Sequence, residues 1–256
     1  MDDLFDLSGR VAIITGSTRG IGLAIARAYA ARGAKVAISS RKAGACTAVR
    51  DAIVAEGGEA IAVSANISSK EQLSELVRET LAAYGKIDVL VCNAAVNPYF
   101  GPTLGISDDA FDKIMNANVR SNVWLCNMVL PEIAKVGGGS CVIVSSVAGL
   151  RGTAMLGAYA LSKAADMQLA RNLAVEWGPK NVRVNCIAPG IVKTDFARAL
   201  YEDPAVYAAA LKLYPIGRLG EVEDISGIAV MLAARAGAFV TGQTIVADGG
   251  MTIGGE

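Results

Sequence analysis

A chain of 256 residues, 53% hydrophobic and 19% charged, is long enough for one large core or two small ones. Its 24 Lys plus Arg balance its 24 Asp plus Glu, which argues against a surface built to hold nucleic acid or another polyanion. It has no His, so His-based triads, imidazole acid/base chemistry and nearly all catalytic zinc sites are excluded, and no metal site is expected.

In chain order, strands are predicted over 11–15, 35–39, 60–64, 89–92, 140–145, 182–187 and 244–247. Between them, helices are predicted near 20–32, 43–56, 70–84, 109–135, 155–177 and 222–235. The strands are nearly all apolar rather than alternating, as expected where both faces are covered. The β-α alternation therefore predicts a parallel sheet with right-handed crossovers and helices on both sides. Ser69 with Gln72 reads as a capping box, and Gly57-Gly58 and Gly137-Gly138-Gly139 as helix stops. No repeat or linker divides the chain, so one domain over 1–256 is expected.

The stretch 190–220 breaks the rhythm. It holds Pro204 and Pro215 and the aromatics Phe196, Tyr201, Tyr207 and Tyr214. Long connections in compact domains are usually functional, so a lobe over a site is expected around 191–214, ordering further when ligands bind.

Cysteines 46, 92, 126, 141 and 186 are odd in number and contain no CxxC, which suits buried reduced thiols in a cytoplasmic protein. The acidic start, Met1-Asp2-Asp3, is unlike a secretion signal. The end, Thr252 to Glu256, carries no peroxisomal or reticulum address. No apolar run approaches the roughly 18 residues that span a membrane.

After the first strand comes Thr15-Gly16-Ser17-Thr18-Arg19-Gly20-Ile21-Gly22. Glycines let backbone turn sharply and approach a pyrophosphate, and the following helix start offers unpaired N–H groups to it. The spacing GxxxGxG is not a Walker loop, and a tight turn without a ligand is the competing account. The second strand ends Ser39-Ser40-Arg41-Lys42, where an acid would hold an NAD ribose 2′-hydroxyl. Ser40 and Arg41, with Arg19 in the loop, suit the 2′-phosphate of NADP, because Arg binds phosphate in a fork and an acid would repel it.

Tyr159 and Lys163 stand four apart on one helix face. Ser146 ends a predicted strand, where open α/β sheets place their ligands, and Asn118 lies early in a long helix. With Cys92-Asn93-Ala94-Ala95 and Pro189-Gly190 followed by Thr194, these motifs resemble the short-chain dehydrogenases/reductases over essentially the whole chain. Segments 39–42, 94–101, 184–186 and 218–221 are similar to NADPH-dependent carbonyl reductases that also act as retinol dehydrogenases.

The resemblance implies a Rossmann doubly wound, seven-stranded parallel sheet in a homotetramer, acting on a small carbonyl or alcohol. It implies that Tyr159 exchanges a proton with the substrate oxygen, and that Ser146 positions that oxygen. Lys163 would bind ribose and favour the phenolate, and Asn118 would hold a water linked to Lys163. It further implies cofactor contacts by Gly16, Ser17, Thr18, Arg19, Gly20, Ile21, Gly22, Asn66, Ile67, Asn93, Ala94, Pro189, Gly190, Val192 and Thr194. Two departures stand out: Asn66 where the family often has Asp, and Ala95 where it often has Gly. Rivals within the family are a 3-oxoacyl-carrier-protein reductase and an NAD(P)-dependent alcohol or sugar dehydrogenase. A catalytically silent dinucleotide sensor is the rival of another class, disfavoured by the complete polar quartet.

Overall fold

The computed structural model describes residues 4–254; the acidic start at Met1–Asp3 and the last two residues lie outside them. Seven strands form one all-parallel sheet in the order β3-β2-β1-β4-β5-β6-β7. They are β1 (Val11–Thr15), β2 (Lys35–Ser39), β3 (Glu59–Ala62), β4 (Val89–Cys92), β5 (Gly139–Val144), β6 (Val182–Pro189) and β7 (Thr244–Ala247). Except β3 and β7, which form the two edges, the strands are almost wholly buried, so their apolar runs are explained by cover on both faces.

The cover divides by side-chain alternation. Ala12 and Ile14 of β1 and Val36 and Ile38 of β2 face α1 (Gly20–Ala30), α2 (Ala43–Ala55) and α8 (Val222–Ala233). Ile13 and Ala37 point to the other side, toward α3 (Lys70–Tyr84), α5 (Ser121–Lys135) and α6 (Gly157–Trp177). On the first face the buried Tyr29 hydroxyl donates to the Ala229 carbonyl at 2.9 Å, fastening α1 to α8. On the second, the Sγ atoms of Cys92, Cys126 and Cys141 lie within 4.8 Å of one another, and all five thiols are buried and free.

The long helix predicted over 109–135 is interrupted. α4 (Asp108–Met115) runs into a wider π turn at Asn116–Arg120 before α5 begins. Side chains explain the break. Ser121 Oγ donates to the Ala117 carbonyl at 2.6 Å, and Asn122 Nδ2 donates to the Asn118 carbonyl at 2.7 Å, so both carbonyls have partners outside the regular ladder. The capping box at Ser69 is half formed. Ser69 Oγ accepts from Gln72 N–H, but Gln72 Oε1 accepts from Asn66 N–H instead of returning to residue 69. The 190–220 stretch is not irregular throughout: it contains a 3-10 segment, Asp195–Leu200, and α7 (Pro204–Leu211).

The order reverses between β1 and β4, so the loops after those strands diverge and open a crevice at their carboxyl ends. The exits of β1, β4, β5 and β6 line that edge.

Candidate active site

Glycine builds the loop after β1. Gly16 and Gly20 have φ of +66° and +54°. A Cβ on Gly22 would overlap the Gly16 carbonyl and the Asn93 amide. Arg19, at the N-cap of α1, makes no side-chain cap, and the first turn carries no acid. A tight cradle beside an uncapped helix start is what a pyrophosphate requires, so the loop fits a dinucleotide. Thr18, Gly20 and Ile21 are half-buried along it and Arg19 is exposed.

The loop is braced from behind. Thr15 Oγ1 accepts from the N–H groups of Asn93 and Ala94 at 3.0 and 3.1 Å, while Asn93 Nδ2 donates to the Thr15 carbonyl at 2.9 Å. Ser17 differs from its neighbours. It is fully buried; its hydroxyl donates to the Ile14 carbonyl and accepts from Ser39 N–H, both at 2.8 Å, and its own N–H donates to the Ser39 carbonyl. Its polar groups are spent joining β1 to β2, so it supports the loop rather than facing a ligand.

At the end of β2, Ser40 is half-buried over Cys46, with Oγ and Sγ 3.3 Å apart, and Arg41 is exposed. Asn66 is exposed and spends Oδ1 on Ser68 N–H at 3.1 Å; Ile67 beside it packs on the second-face core.

Four polar side chains gather at the exits of β4 and β5. Asn118 is completely buried in the π turn. It exchanges two hydrogen bonds with the Val96 backbone, 2.8 and 3.0 Å, and its amide also donates to Ser162 Oγ at 3.1 Å. Ser146 follows β5, half-buried, its Oγ accepting from Ala148 N–H at 3.2 Å. Tyr159 and Lys163 come from the first turns of α6, with the lysine Nζ 5.8 Å from the ring centroid. Ser145 Oγ, donating to the Lys163 carbonyl at 2.7 Å, pins α6 to β5.

Lys163 is 2% exposed. Its Nζ donates to the Val144 carbonyl at 2.9 Å and to Asp166 Oδ2 at 3.0 Å. Burial alone pulls this ammonium toward neutrality, but the charges of Asp166 and Tyr159 and the hydrogen bond to Asp166 outweigh it and hold its pKa above the usual lysine value. Asp166 and its supporting Asn122 escape the motif reading. The signal for Asp166 was present, an acid three residues beyond Lys163 on the same helix face.

The segment after β6 closes the far side. Gly190 N–H donates to the Ala247 carbonyl, and Val192 is buried and bridges to Gly220. The aromatics of the lobe take separate tasks. Tyr214, expected among the substrate-facing candidates, is buried, and its hydroxyl accepts from Ile191 N–H at 2.6 Å, fixing the strand exit at Pro189-Gly190. The Tyr201 hydroxyl donates to the Thr194 carbonyl. Phe196 alone stacks toward the quartet, its ring 6.2 Å from that of Tyr159. Thr194 also reaches the phosphate loop: a Cβ on Gly20 would lie 3.2 Å from its methyl. A cleft of about 590 Å3 between α1 and the lobe is lined by Gly20, Thr194, Asp195 and Tyr201 and contains none of the quartet.

Residues 16–252 match the family model described as enoyl-(acyl carrier protein) reductase. Dehydrogenase/reductase SDR family member 4 of Oryctolagus cuniculus is 43% identical over 244 residues, 95% of this chain and 94% of that protein. The chain belongs to the short-chain dehydrogenase/reductase family. It is accordingly an oxidoreductase that uses a nicotinamide cofactor. Solved members of the family superpose closely. A 7α-hydroxysteroid dehydrogenase complexed with NADH and 7-oxo glycochenodeoxycholic acid has a TM-score of 0.93 at 37% identity, covering 98% of this chain and 97% of its own. A gluconate 5-dehydrogenase from Burkholderia cenocepacia, in complex with NADP and tartrate, has a TM-score of 0.94 at 32% identity, covering 99% of both chains.

Proposed function

We propose that the chain is an NADPH-dependent reductase of a ketone or aldehyde, reversible toward the alcohol, with Tyr159 as the general acid. The observation that carries this is the buried ammonium of Lys163 held on the same helix face as Tyr159, beside Ser146 and Asn118 at the strand exits.

When bound, a nicotinamide cofactor supplies the hydride. Gly16, Thr18, Arg19, Gly20, Ile21 and Gly22 would hold its phosphates, Asn66 and Ile67 its adenine, and Asn93 and Ala94 a ribose. Pro189, Gly190, Val192 and Thr194 would lie along the nicotinamide. Tyr159 gives its phenolic proton to the substrate oxygen, and the ammonium of Lys163 stabilises the phenolate left behind. Ser146 keeps that oxygen in reach by a hydrogen bond, and Asn118 fixes the backbone at Val96 beside it. Phe196 supplies an apolar wall that excludes water.

The preference for NADPH is supported by the end of β2, where Ser40, Arg41 and Lys42 offer a hydroxyl and two cations and no acid. Exposed Phe111, Leu161 and Val175 on α4 and α6 support assembly into a homotetramer through these helices. Five buried thiols suit a reducing compartment such as the cytoplasm. No described helix is long and apolar enough to cross a membrane.

The test is the Tyr159→Phe variant, assayed beside the wild type with NADPH and NADH against ketones, diketones, retinal and a β-ketoacyl thioester. Loss of about 100-fold or more in kcat, with cofactor affinity and circular dichroism unchanged, is expected. Retention of more than about a tenth of kcat would overturn the assignment.

A further inference from the structure

Lys163 is held by a carboxylate that takes no part in the quartet. Asp166 lies one turn along α6 and is itself fully buried. Its Oδ2 accepts from Lys163 Nζ at 3.0 Å, and its Oδ1 accepts from Asn122 Nδ2 at 2.9 Å. Asn122 also donates to the Asn118 carbonyl at 2.7 Å. One continuous set of hydrogen bonds therefore runs from the π turn through Asn122 and Asp166 to Lys163. A buried ion pair is held only when the remaining lone pairs and protons are also satisfied, and here both carboxylate oxygens and two ammonium protons have partners.

We infer that Asp166 is a positioning residue for carbonyl reduction: it keeps Lys163 charged and aimed, and it raises the pH at which the Lys163–Tyr159 pair gives up its first proton. This rests on Tyr159 acting as the acid.

The sign follows from charge alone. Lys163 and Tyr159 share one electrostatic site, so their first deprotonation belongs to the pair. In the working state the lysine is an ammonium and the tyrosine a phenol. A carboxylate beside them opposes loss of a proton from either group, so removing it lowers that first pKa whichever group releases the proton. The other groups that face the site are few. From α6 there is Tyr159 itself, from α5 the Cys126 thiol and the neutral Asn122, from β4 the Cys92 thiol, on which the Asp166 charge acts, and from β6 Cys186, whose Sγ donates to the Asp166 carbonyl at 3.3 Å. Burial pushes the Cys186 thiol well up, so it stays neutral. From β5 comes only the Val144 carbonyl. Arg171, one turn beyond on α6, acts on Cys186 from a distance. Within this set Asp166 is the carboxylate that counters Lys163.

Asp166→Asn keeps the shape and removes the charge; Asp166→Ser removes it in a smaller shape. For either folded variant, the alkaline limb of kcat for carbonyl reduction should move down by about one pH unit or more. Asp166→Glu, which retains the charge, should keep the limb near the wild-type position even if its rate is lower. A limb in both neutral variants that superposes on the wild type, with only rate or melting temperature reduced, would show a purely structural carboxylate and overturn the inference.

A second readout needs no variant and no turnover. In cofactor-free wild type labelled with 13C at aspartate carboxyls, the Asp166 signal should be that of an ionised group between about pH 6 and 9. A protonated Asp166 at neutral pH overturns the inference even if the neutral variants fail to fold. The Tyr159→Phe result separates the two levels. An active Tyr159→Phe protein removes the acid assignment beneath, whereas an inactive one with an unmoved Asp166→Asn limb removes only the role given to Asp166.

Discussion

A buried ammonium must have its protons placed, and Lys163 has three. Val144 and Asp166 take two, leaving one direction for a bound group. On the proposed reading, that arrangement explains how a chain without His can run proton transfer: the phenol of Tyr159 serves as the acid, and a fixed positive charge makes its conjugate base tolerable. Cofactor choice is equally a matter of single residues. With no acid at the end of β2, Arg41→Asp should reverse the attraction for a 2′-phosphate and supply a partner for a 2′-hydroxyl. The ratio of kcat/KM for NADPH over NADH should fall by about tenfold or more, which steady-state kinetics with both cofactors will measure. An unchanged ratio would make Arg41 a solvated bystander. At this scale the sequence was most readable where residue type dictates chemistry, as in Tyr159 with Lys163. It was least readable where a side chain faces inward, as Ser17 and Tyr214 do, because facing is decided by packing partners far away in the chain.

The interior strands were legible because burial on both faces leaves mostly apolar residues to form them; β1, β2 and β4 fall on their predicted bounds, as does the edge strand β7. The break in 109–135 was not, since apolar periodicity continues through it. What interrupts the ladder is local hydrogen bonding by Ser121 and Asn122 and a distant grip on Val96 by Asn118. Helix α7 was not foreseen within the 190–220 stretch. Asp203 caps it, accepting from the N–H groups of Ala205 and Val206, and Pro204 occupies the first helical turn, where no N–H is needed. Helix α8 has an unusual start that gives a pH prediction. Glu221 is its N-cap, and Asp224 accepts from Glu221 N–H at 2.8 Å and from Arg218. The Arg218 guanidinium and that backbone bond lower the Asp224 carboxyl to about 2. A depressed carboxylate stabilises the fold above its unfolded pKa and loses that contribution as pH falls through the folded one. Asp224→Ala should therefore cost about 1 kcal/mol near neutrality, held to that size by solvent screening, and the gap to wild type should close between about pH 4 and 2. Melting curves across that range will show it; a gap independent of pH would assign the loss to packing.

Across the whole molecule, the strand order brings residues separated by as many as 174 positions to one edge: Gly16 after β1, Asn93 after β4, Ser146 after β5 and Gly190 after β6. The same fold places these thiols, all of them buried, in two separate places, which gives the protein two internal clocks. Cys92, Cys126 and Cys141 cluster beneath the middle of the sheet, where a reagent reaches sulfur only when the core opens. Cys46 lies under Ser40 at the nucleotide end, where parting of α2 from the end of β2 is expected to expose it. Alkylation followed by mass spectrometry should show Cys46 reacting well before the trio. NADPH at about 100 times its Kd should slow every opening that releases the cofactor by about 100-fold. If Cys46 slows with the trio, the nucleotide end breathes only by a motion that also expels the ligand. If the trio slows and Cys46 does not, the end of β2 opens while the dinucleotide stays in place, and the proposed contact with a 2′-phosphate is the loosest part of the grip.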